Sequence, residues 1–376
     1  MVMKKYIFYI IGIILAGTGM QSKAQDMAYY MIVGTYTHTG SKGIYVYKFN
    51  AQTGKAEFLN SSSSIKNPSY ITIHKDNIYA VSETNGSVPG SVSAYHFDRK
   101  NGELKLLNSF PTGGDDPCYL ETDSSGRFLV VANYSGGSIT VFGLNRDGSL
   151  KPDKQLIQHE GGSINLERQG SPHVHQTVFS PDEKYVLAPD LGKDRVIIYC
   201  FDGNINHPLS RDTEIVCSPG SGPRHVIFHP HKNFAYLIHE LSPVISVYQY
   251  EGKKFNKIQE VNGWPEDFSG KTDGAEILVS PDGKFLYTSH RAEQNSIGMF
   301  EIDPSTGMIA NIGFQPAGGK GPRFFTIDPS GKWLLAAHQG SDSVVIFKRN
   351  PVTGELEESH TIKLPIPVCI QFAPMK

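Results

Sequence analysis

The chain alternates short apolar runs with polar turns, in an arrangement that recurs along most of its length. In "GPRHVIFHPHKNFAYLIHEL", Gly222 to Leu241, apolar and aromatic residues alternate with polar ones on both sides of a turn. Such alternation, bounded by Gly, Pro, Asp or Asn, predicts half-buried β-strands. The unit that begins here predicts four strands, "HVIFHP", "FAYLIHE", "ISVYQY" and "FNKIQEV".

The same unit occurs seven times. Aligned on the turn after the first strand, the matching positions are Lys75, Ser124, Pro181, Pro230, Pro281, Pro329 and Pro374. The steps between them are 49, 57, 49, 51, 48 and 45 residues. A period near fifty residues with β patterning predicts the blades of a propeller.

The seventh unit is divided between the two ends of the chain. Its first strand is "IPVCIQFAPMK" at the C-terminus, and its other three are "YYMIVGTYT", "GIYVYKFN" and "AEFLNSS" near the N-terminus. The prediction is an all-β fold, a seven-bladed β-propeller whose seventh blade is composite, with three N-terminal strands plus one C-terminal strand. This closure removes two free sheet edges. A solenoid of sheets is the alternative, but a solenoid does not require a repeat divided between the two ends of the chain.

The N-terminus predicts export. Lys4 and Lys5 precede an apolar stretch, Tyr6 to Ala16, and Ser22-Lys23-Ala24 is a small-x-small cleavage site. This pattern is typical of a secretory signal peptide, here residues 1–24, followed by a single domain over 25–376. We expect a periplasmic or extracellular protein with no stable membrane anchor. An uncleaved anchor is the alternative, but the apolar stretch is short for a membrane span.

Composition narrows the function. The 376 residues carry a net charge of −2 with only 19% charged residues, so no nucleic-acid partner is expected. Four cysteines do not make a disulfide framework, although Cys200 and Cys217 lie on successive predicted strands and could pair; buried free thiols are the alternative. No P-loop or G-x-S-x-G segment is present, and we expect no cofactor. The sequence indicates no oligomeric state.

Two repeat positions carry varied polar residues instead of one scaffold residue. Inner strands of a propeller line its channel, so equivalent positions form rings. Six residues before the aligned turn, the repeats hold Ser69, Cys118, His175, Arg224, Ala275, Arg323 and Val368. Ten residues after it, the second to sixth repeats hold Tyr134, Leu191, Glu240, Arg291 and Gln339. Because the second strand is antiparallel to the first, both rings are predicted to meet at one mouth of the channel.

The residues predicted to converge there are His175, Arg224, Glu240, Arg291, Arg323 and Gln339, with Asp190, His173 and Tyr134 close by. Arginine forks bind carboxylate or phosphate, and His or Glu can act as a general base. The cluster therefore predicts a site for a small anionic substrate. Each residue has a structural alternative, since Glu240 and Arg224 could simply pair. His173 and His175 could bind a metal, but no acidic third ligand is spaced for it, so none is expected.

At these motifs the chain resembles the lactonase family of seven-bladed propellers, which includes 6-phosphogluconolactonase and the carboxy-cis,cis-muconate lactonising enzyme. The segments that carry the resemblance cover nearly the whole mature chain and include "VANYSGGSITVF", "SPHVH", "GPRHVIFHP", "DGAEI", "LYTSHR" and "GPRFFTIDPSGKWLLAAHQ". The family's proposed active site, a histidine, two arginines and a glutamate, corresponds here to His175, Arg224, Glu240 and Arg291. His173 is an additional histidine beside the family position, and either of the two could act.

The resemblance implies hydrolysis of a sugar lactone, and it makes a small anionic lactone or sugar acid the expected partner. Water attacks the ring carbonyl, His175 or Glu240 takes its proton, and Arg224 and Arg291 hold the anionic group and the developing oxyanion. Phosphogluconolactone is cytosolic, whereas this chain carries an export pattern, so the substrate could instead be an unphosphorylated aldonolactone or another lactone outside the inner membrane. The alternatives are a carboxymuconate-type cycloisomerase and a non-catalytic propeller that binds a ligand or protein.

Overall fold

The structure, a computed structural model, describes residues 28–62, 65–271 and 273–375. The predicted signal peptide, residues 1–24, lies outside these ranges. Within them the chain forms seven four-stranded antiparallel sheets. No helix in the described ranges has the length and apolar character to cross a membrane.

The first half of the described chain supplies the composite blade's three N-terminal strands, blades 1 and 2, and blade 3. Its elements are β1 (Ala28–Thr35), β2 (Ile44–Asn50), β3 (Ala56–Ser62), β4 (Ile71–His74), β5 (Asn77–Ser82), β6 (Ser91–Asp98), β7 (Glu103–Pro111), β8 (Pro117–Thr122), β9 (Phe128–Asn133), β10 (Ser138–Leu144), β11 (Leu150–Gln158), the short helix α1 (Leu166–Gln169), β12 (Val178–Phe179), β13 (Tyr185–Asp190), a 3₁₀ turn (Leu191–Lys193), β14 (Arg195–Phe201) and β15 (Leu209–Val216).

The second half supplies blades 4 to 6 and the last strand. Its elements are β16 (Pro223–Phe228), β17 (Phe234–His239), β18 (Val244–Glu251), β19 (Lys254–Asn262), β20 (Gly274–Val279), β21 (Phe285–His290), β22 (Ser296–Ile302), β23 (Ile309–Pro316), β24 (Pro322–Ile327), β25 (Trp333–His338), β26 (Ser343–Arg349), β27 (Leu356–Lys363) and β28 (Pro367–Pro374).

Blades 1 to 6 are β4–β7, β8–β11, β12–β15, β16–β19, β20–β23 and β24–β27, in that order, and the seventh blade is composite, as predicted. Its strand order is β28-β1-β2-β3, so the C-terminal strand is innermost and the N-terminal strands complete the sheet. Tyr30 pairs with Ala373 and Val33 pairs with Ile370 in an antiparallel register. The fold is therefore the predicted all-β, seven-bladed β-propeller, closed by strands from both ends of the chain.

The core lies between adjacent blades, not inside one sheet. A representative cluster joins Tyr236 of blade 4 to Ile277 and Leu286 of blade 5, all fully or almost fully buried. The outermost strands instead alternate exposed and half-buried residues. An aromatic residue of the second strand also reaches across to the next blade, where Tyr236 Oη donates to Gly307 O (3.1 Å). The same contact recurs at Tyr30, Tyr79, Tyr287 and, through its indole nitrogen, Trp333.

The innermost strands carry a repeated irregularity near their start. In blade 4 the register shifts between Pro223 and His225, which leaves Arg224 outside the ladder, as in a β-bulge. Bulges re-aim side chains and are frequent beside active sites. The same shift leaves out the equivalent residues Cys118, Ala275, Arg323 and Val368. In blade 3 the inner strand is shorter still, and the stretch around His175 lies between an isolated bridge at Val174 and β12.

The four cysteines, all within the described ranges, are free thiols. Cys217 is buried and Cys200 is half-buried. Of the two alternatives that the sequence left open, the structure has free thiols and no Cys200–Cys217 disulfide.

Candidate active site

Two rings of residues surround one mouth of the channel. The first ring is the bulged position of the inner strands. The second lies just beyond the end of each second strand, where the amide of the ring residue donates to a carbonyl at the start of the inner strand, as Glu240 N does to Gly222 O (2.7 Å). The same hydrogen bond occurs in all seven blades, and the second ring consists of Tyr36, Glu83, Tyr134, Leu191, Glu240, Arg291 and Gln339.

Glu240 is the centre of a buried cluster of charges. Its Oε2 accepts a hydrogen bond from Arg224 Nε (3.0 Å) and lies 3.0 Å from Arg291 Nη2. Its Oε1 accepts one from Arg168 Nη2 (2.5 Å). Arg291 Nη2 also donates to Asp273 Oδ1 (2.9 Å). The cluster therefore sets three arginines against two carboxylates.

The arginines decide the ionisation of Glu240. Burial alone would raise the pKa of this carboxyl, but Arg291, Arg224 and Arg168 outweigh it and lower the pKa to about 2. Asp273, half-exposed beside the same cluster, has a raised pKa because of burial and the charge of Glu240. Glu240 is thus a permanent anion at neutral pH and a weak proton acceptor.

His175 lies against this cluster and is itself buried. Its Nε2 is 3.9 Å from Glu240 Oε2, and its Nδ1 is 3.9 Å from Cys118 Sγ. Burial, together with the charges of Arg224 and its neighbours, lowers the pKa of His175 well below its usual value. The imidazole is therefore neutral at pH 7, with a nitrogen available to accept a proton.

His173 and Tyr134 form the more exposed edge of the same side. Their rings stack with centroids 4.6 Å apart, and His173 Nδ1 donates to Tyr134 O (3.1 Å). That hydrogen bond fixes the tautomer of a neutral His173 and leaves its Nε2 unprotonated. The ring of Tyr134 also meets His175 edge-on at 5.3 Å. The structure thus brings both histidines to the mouth, with only His175 recorded in contact with Glu240.

Asp190 is placed below the mouth instead of in it. The residue is fully buried, its Oδ1 accepts from His173 N (2.8 Å), and its Oδ2 accepts from His159 Nδ1 (2.7 Å). Both oxygens are thus used by the protein. The sequence suggested that Asp190 could bind substrate, but its geometry is that of a residue that positions the His173 segment.

Arg224 is similarly enclosed. Its side chain is 2% exposed, and besides Glu240 it reaches Ala275 O through Nη1 (2.5 Å). Burial and the nearby arginines lower the pKa of Arg224 to about 10. Below it, His225 Nδ1 donates to Glu276 Oε1 (2.9 Å). Arg224 is therefore held by the protein and presents little surface to a ligand.

Arg168 was missed by the sequence analysis. It belongs to α1, in the segment that makes the second repeat step 57 residues long, and its side chain is 37% exposed. Besides Glu240 it donates to Tyr134 Oη (3.3 Å). The long step was a signal that an extra segment existed, but an irregular segment has no pattern that places its side chains.

A buried aspartate attaches this extra segment to the rest of the site. Asp194 accepts hydrogen bonds from Ser163 Oγ (2.5 Å) and Gln169 Nε2 (2.8 Å) of the segment, and from the amide of Gly222 (2.7 Å). Gly222 has φ +63°, and a Cβ there would lie 2.7 Å from Leu241 Cγ, so glycine is required. One carboxylate thus orders both the Arg168 segment and the turn before Arg224.

Across the channel, Arg323 belongs to a second cluster. Its Nη2 lies 3.7 Å from Glu83 Oε2, and its guanidinium is 5.8 Å from the centre of the Tyr36 ring. Tyr36 Oη donates to Glu83 Oε1 (2.8 Å). Gln339 is a member of the second ring but has no recorded side-chain hydrogen bond within the described ranges. The structure therefore brings Arg323 and Gln339 to the mouth, where both belong to blade 6, two blades beyond that of Glu240.

The sequence analysis also missed Tyr36, which lies in the divided blade, and Glu83, which lies in a blade with a shorter first hairpin. In blade 1 Ile73 pairs with Ile78, whereas in blade 2 Thr122 pairs with Leu129, so the first hairpin is two residues shorter. Counting ten residues from the turn therefore ends two residues beyond Glu83.

Among the described residues, no group of three His, Cys, Asp or Glu side chains is arranged to hold a metal ion.

Comparison with known proteins gives one consistent family. A family profile described as "Lactonase, 7-bladed beta-propeller" matches residues 30–372. The 6-phosphogluconolactonase of Bacillus subtilis is 34% identical over 92% of this chain and 98% of its own length. That of Formosa agariphila is 36% identical over 87% and 94%. The solved structure of a periplasmic gluconolactonase from Pseudomonas aeruginosa is 34% identical, with a TM-score of 0.88 over 93% of this chain and 100% of its own.

Proposed function

The chain belongs to the lactonase family of seven-bladed β-propellers, and from that premise we propose that it hydrolyses the ring ester of a sugar lactone at the mouth of the channel. The observation that carries the proposal is the cluster of a buried neutral histidine beside one carboxylate and three arginines. A neutral base supports proton transfer from water, and the arginines support binding of developing negative charge.

We assign the base to His175. Both oxygens of Glu240 accept hydrogen bonds from arginines, which leaves that carboxylate little capacity to take a proton from water. His175 takes a proton from water as the water oxygen bonds to the carbonyl carbon. The tetrahedral oxyanion then collapses, the ring C–O bond breaks, and the imidazolium returns its proton to the leaving ring oxygen. Glu240, 3.9 Å from His175 Nε2, stabilises the transient imidazolium.

The arginines divide into two roles. Arg224 is enclosed and bonded to Glu240 and a backbone carbonyl, which favours a positioning role over the anion-binding role that the sequence suggested. Arg168 is partly exposed at the mouth, and the buried Nε of Arg291 donates to no described residue. These two are the arginines that we expect to bind the carbonyl oxyanion and the carboxylate of the product.

Location enters the proposal as well. The N-terminal pattern supports export, and a relative of 34% identity is named a periplasmic gluconolactonase. We propose that the mature chain acts on its lactone outside the inner membrane.

The test is proton release from glucono-δ-lactone and its 6-phosphate, with spontaneous hydrolysis subtracted. His175→Ala should lower kcat by about 10²–10⁴-fold, because a general base contributes that much. His207→Ala, at an exposed turn outside the mouth, is the matched control, and its kcat should equal that of the wild type.

Three outcomes would contradict the proposal. Full activity of His175→Ala would place the chemistry elsewhere. A wild-type protein that turns over neither lactone but removes the ultraviolet absorbance of 3-carboxy-cis,cis-muconate would be a cycloisomerase. One inert toward all three compounds would be a binding propeller.

A further inference from the structure

Glu83 has an oxygen that the protein leaves unused at the mouth. Its Oε1 accepts from Tyr36 Oη (2.8 Å). Its Oε2 is buried and accepts no hydrogen bond from any described residue, and the nearest recorded cation, Arg323 Nη2, is 3.7 Å away. Buried carboxylate oxygens are nearly always hydrogen-bonded, and an ionised carboxylate can only accept. This oxygen therefore fits a ligand group that donates a hydrogen bond.

Arg323 supplies the complementary group. Its side chain is 15% exposed, and no hydrogen bond from its guanidinium to a described residue is recorded. The guanidinium lies over the Tyr36 ring, which restrains it beside Glu83. The N–H donors of Arg323 lie next to the unused acceptor Glu83 Oε2. This pair matches a hydroxyl group, which both accepts and donates a hydrogen bond.

Tyr36 and Glu83 of the second ring also line a cavity. A polar cavity of about 410 Å³ is lined by Tyr36, Asn67, Glu83, Asn85, Asp116 and Lys66, among others. This volume lies within the usual range for small-molecule sites. The lining sets Lys66 against the carboxylates of Glu83 and Asp116, so it gathers no surplus of positive charge for a dianion.

The two sides of the mouth thus differ in what they can bind. The Glu240 side has three arginines against two carboxylates and suits an anion. The Glu83 side has no surplus of positive charge to attract a phosphate, and its carboxylate oxygen can accept a hydrogen bond from a hydroxyl.

We propose that Glu83, Arg323 and Tyr36 form a hydroxyl-binding subsite, which selects a polyhydroxylated, unphosphorylated lactone. This rests on the proposed function, because the reacting ester lies on the Glu240 side.

The test compares Glu83→Gln with the wild type on glucono-δ-lactone, its 6-phosphate and δ-valerolactone, which has no hydroxyl. Loss of a hydrogen bond to a charged group should lower kcat/KM for gluconolactone about tenfold to hundredfold, chiefly through KM. The ratio of kcat/KM for the unphosphorylated over the phosphorylated lactone should fall at least tenfold. Tyr36→Phe should change both quantities in the same direction by less. Glu57→Gln, exposed on the outer strand β3, is the control.

An equal fall on δ-valerolactone and gluconolactone would overturn the subsite, since it would indicate a structural effect. Failure of the proposed function is a separate result, a wild type that hydrolyses no lactone. In that case calorimetric titration with gluconate still decides. Gluconate binding at least tenfold weaker in Glu83→Gln than in the wild type supports the subsite. Equal binding by the two proteins, or no binding by the wild type, overturns it.

Discussion

Glu240 and Glu83 occupy equivalent positions of one ring and have different surroundings. Each follows the second strand of its blade and is placed by the same backbone hydrogen bond. Glu240 has three arginines within 3.0 Å, whereas Glu83 has a tyrosine hydroxyl at 2.8 Å and one arginine at 3.7 Å. The backbone is common to both, so the difference comes from the neighbouring side chains.

The comparison shows how a propeller builds an asymmetric site. Bulges in the inner strands turn Arg224 and Arg323 toward the mouth in the same way. The Glu240 side then gains Arg291 from the next blade and Arg168 from outside the repeats. The number of cations around each carboxylate therefore depends on which blades are adjacent and on one added segment.

The largest expected difference between the two sides is in stability. Glu240→Gln leaves Arg224, 2% exposed, without its anion and leaves Arg291 with Asp273 alone, and breaking a buried ion pair costs about 3–5 kcal/mol. Glu83→Gln weakens one hydrogen bond and should cost about 1 kcal/mol. Urea unfolding at pH 7 measures both free energies. Equal losses of unfolding free energy in the two variants would mean that Glu240 does not stabilise the three arginines.

Arg168→Ala should make the Glu240 side resemble the Glu83 side more closely. It removes a partly exposed arginine that contacts Glu240 and Tyr134, so we expect kcat/KM for lactone to fall about tenfold, as for a lost hydrogen bond to a charged group. Steady-state kinetics would show this. Arg211→Ala, an exposed arginine on β15 paired with Glu214, is the matched control. Activity equal to wild type would exclude Arg168 from substrate binding.

The smallest expected effect is in the pH profile. Burial and arginines from both sides lower the pKa of His175 well below its usual value, so the neutral base persists as the pH falls through 6.5. The kcat at pH 5.5 should therefore remain a larger fraction of its value at pH 7.5 than the roughly one tenth that a base with a pKa near 6.5 would retain. Arg323→Gln should move the acid limb upward, because it removes one of these cations. A wild-type limb centred near 6.5 would argue against His175 as the base.

The repeats predicted the fold and part of the site. Strand alternation and the turn spacing gave seven blades, and the divided unit gave the closure by β28 and β1. The same register named His175, Arg224 and Arg323 for one ring, and Glu240 and Arg291 for the other, which the structure places around one mouth. These features depend on local periodicity, because each strand shows its own inward and outward faces.

Contacts between distant residues were decided only by the tertiary structure. Glu83 and Tyr36 escaped the count because one hairpin is short and one blade is divided between the chain ends. Arg168 lies in a segment without periodicity, yet its guanidinium reaches Glu240, 72 residues later. Asp190 directly precedes the second-ring residue Leu191 in the sequence. It is nevertheless fully buried, and both of its oxygens accept hydrogen bonds below the mouth. Sequence patterns specify strand faces over a few residues, whereas bulges, burial and neighbouring charges exist only once the blades pack together.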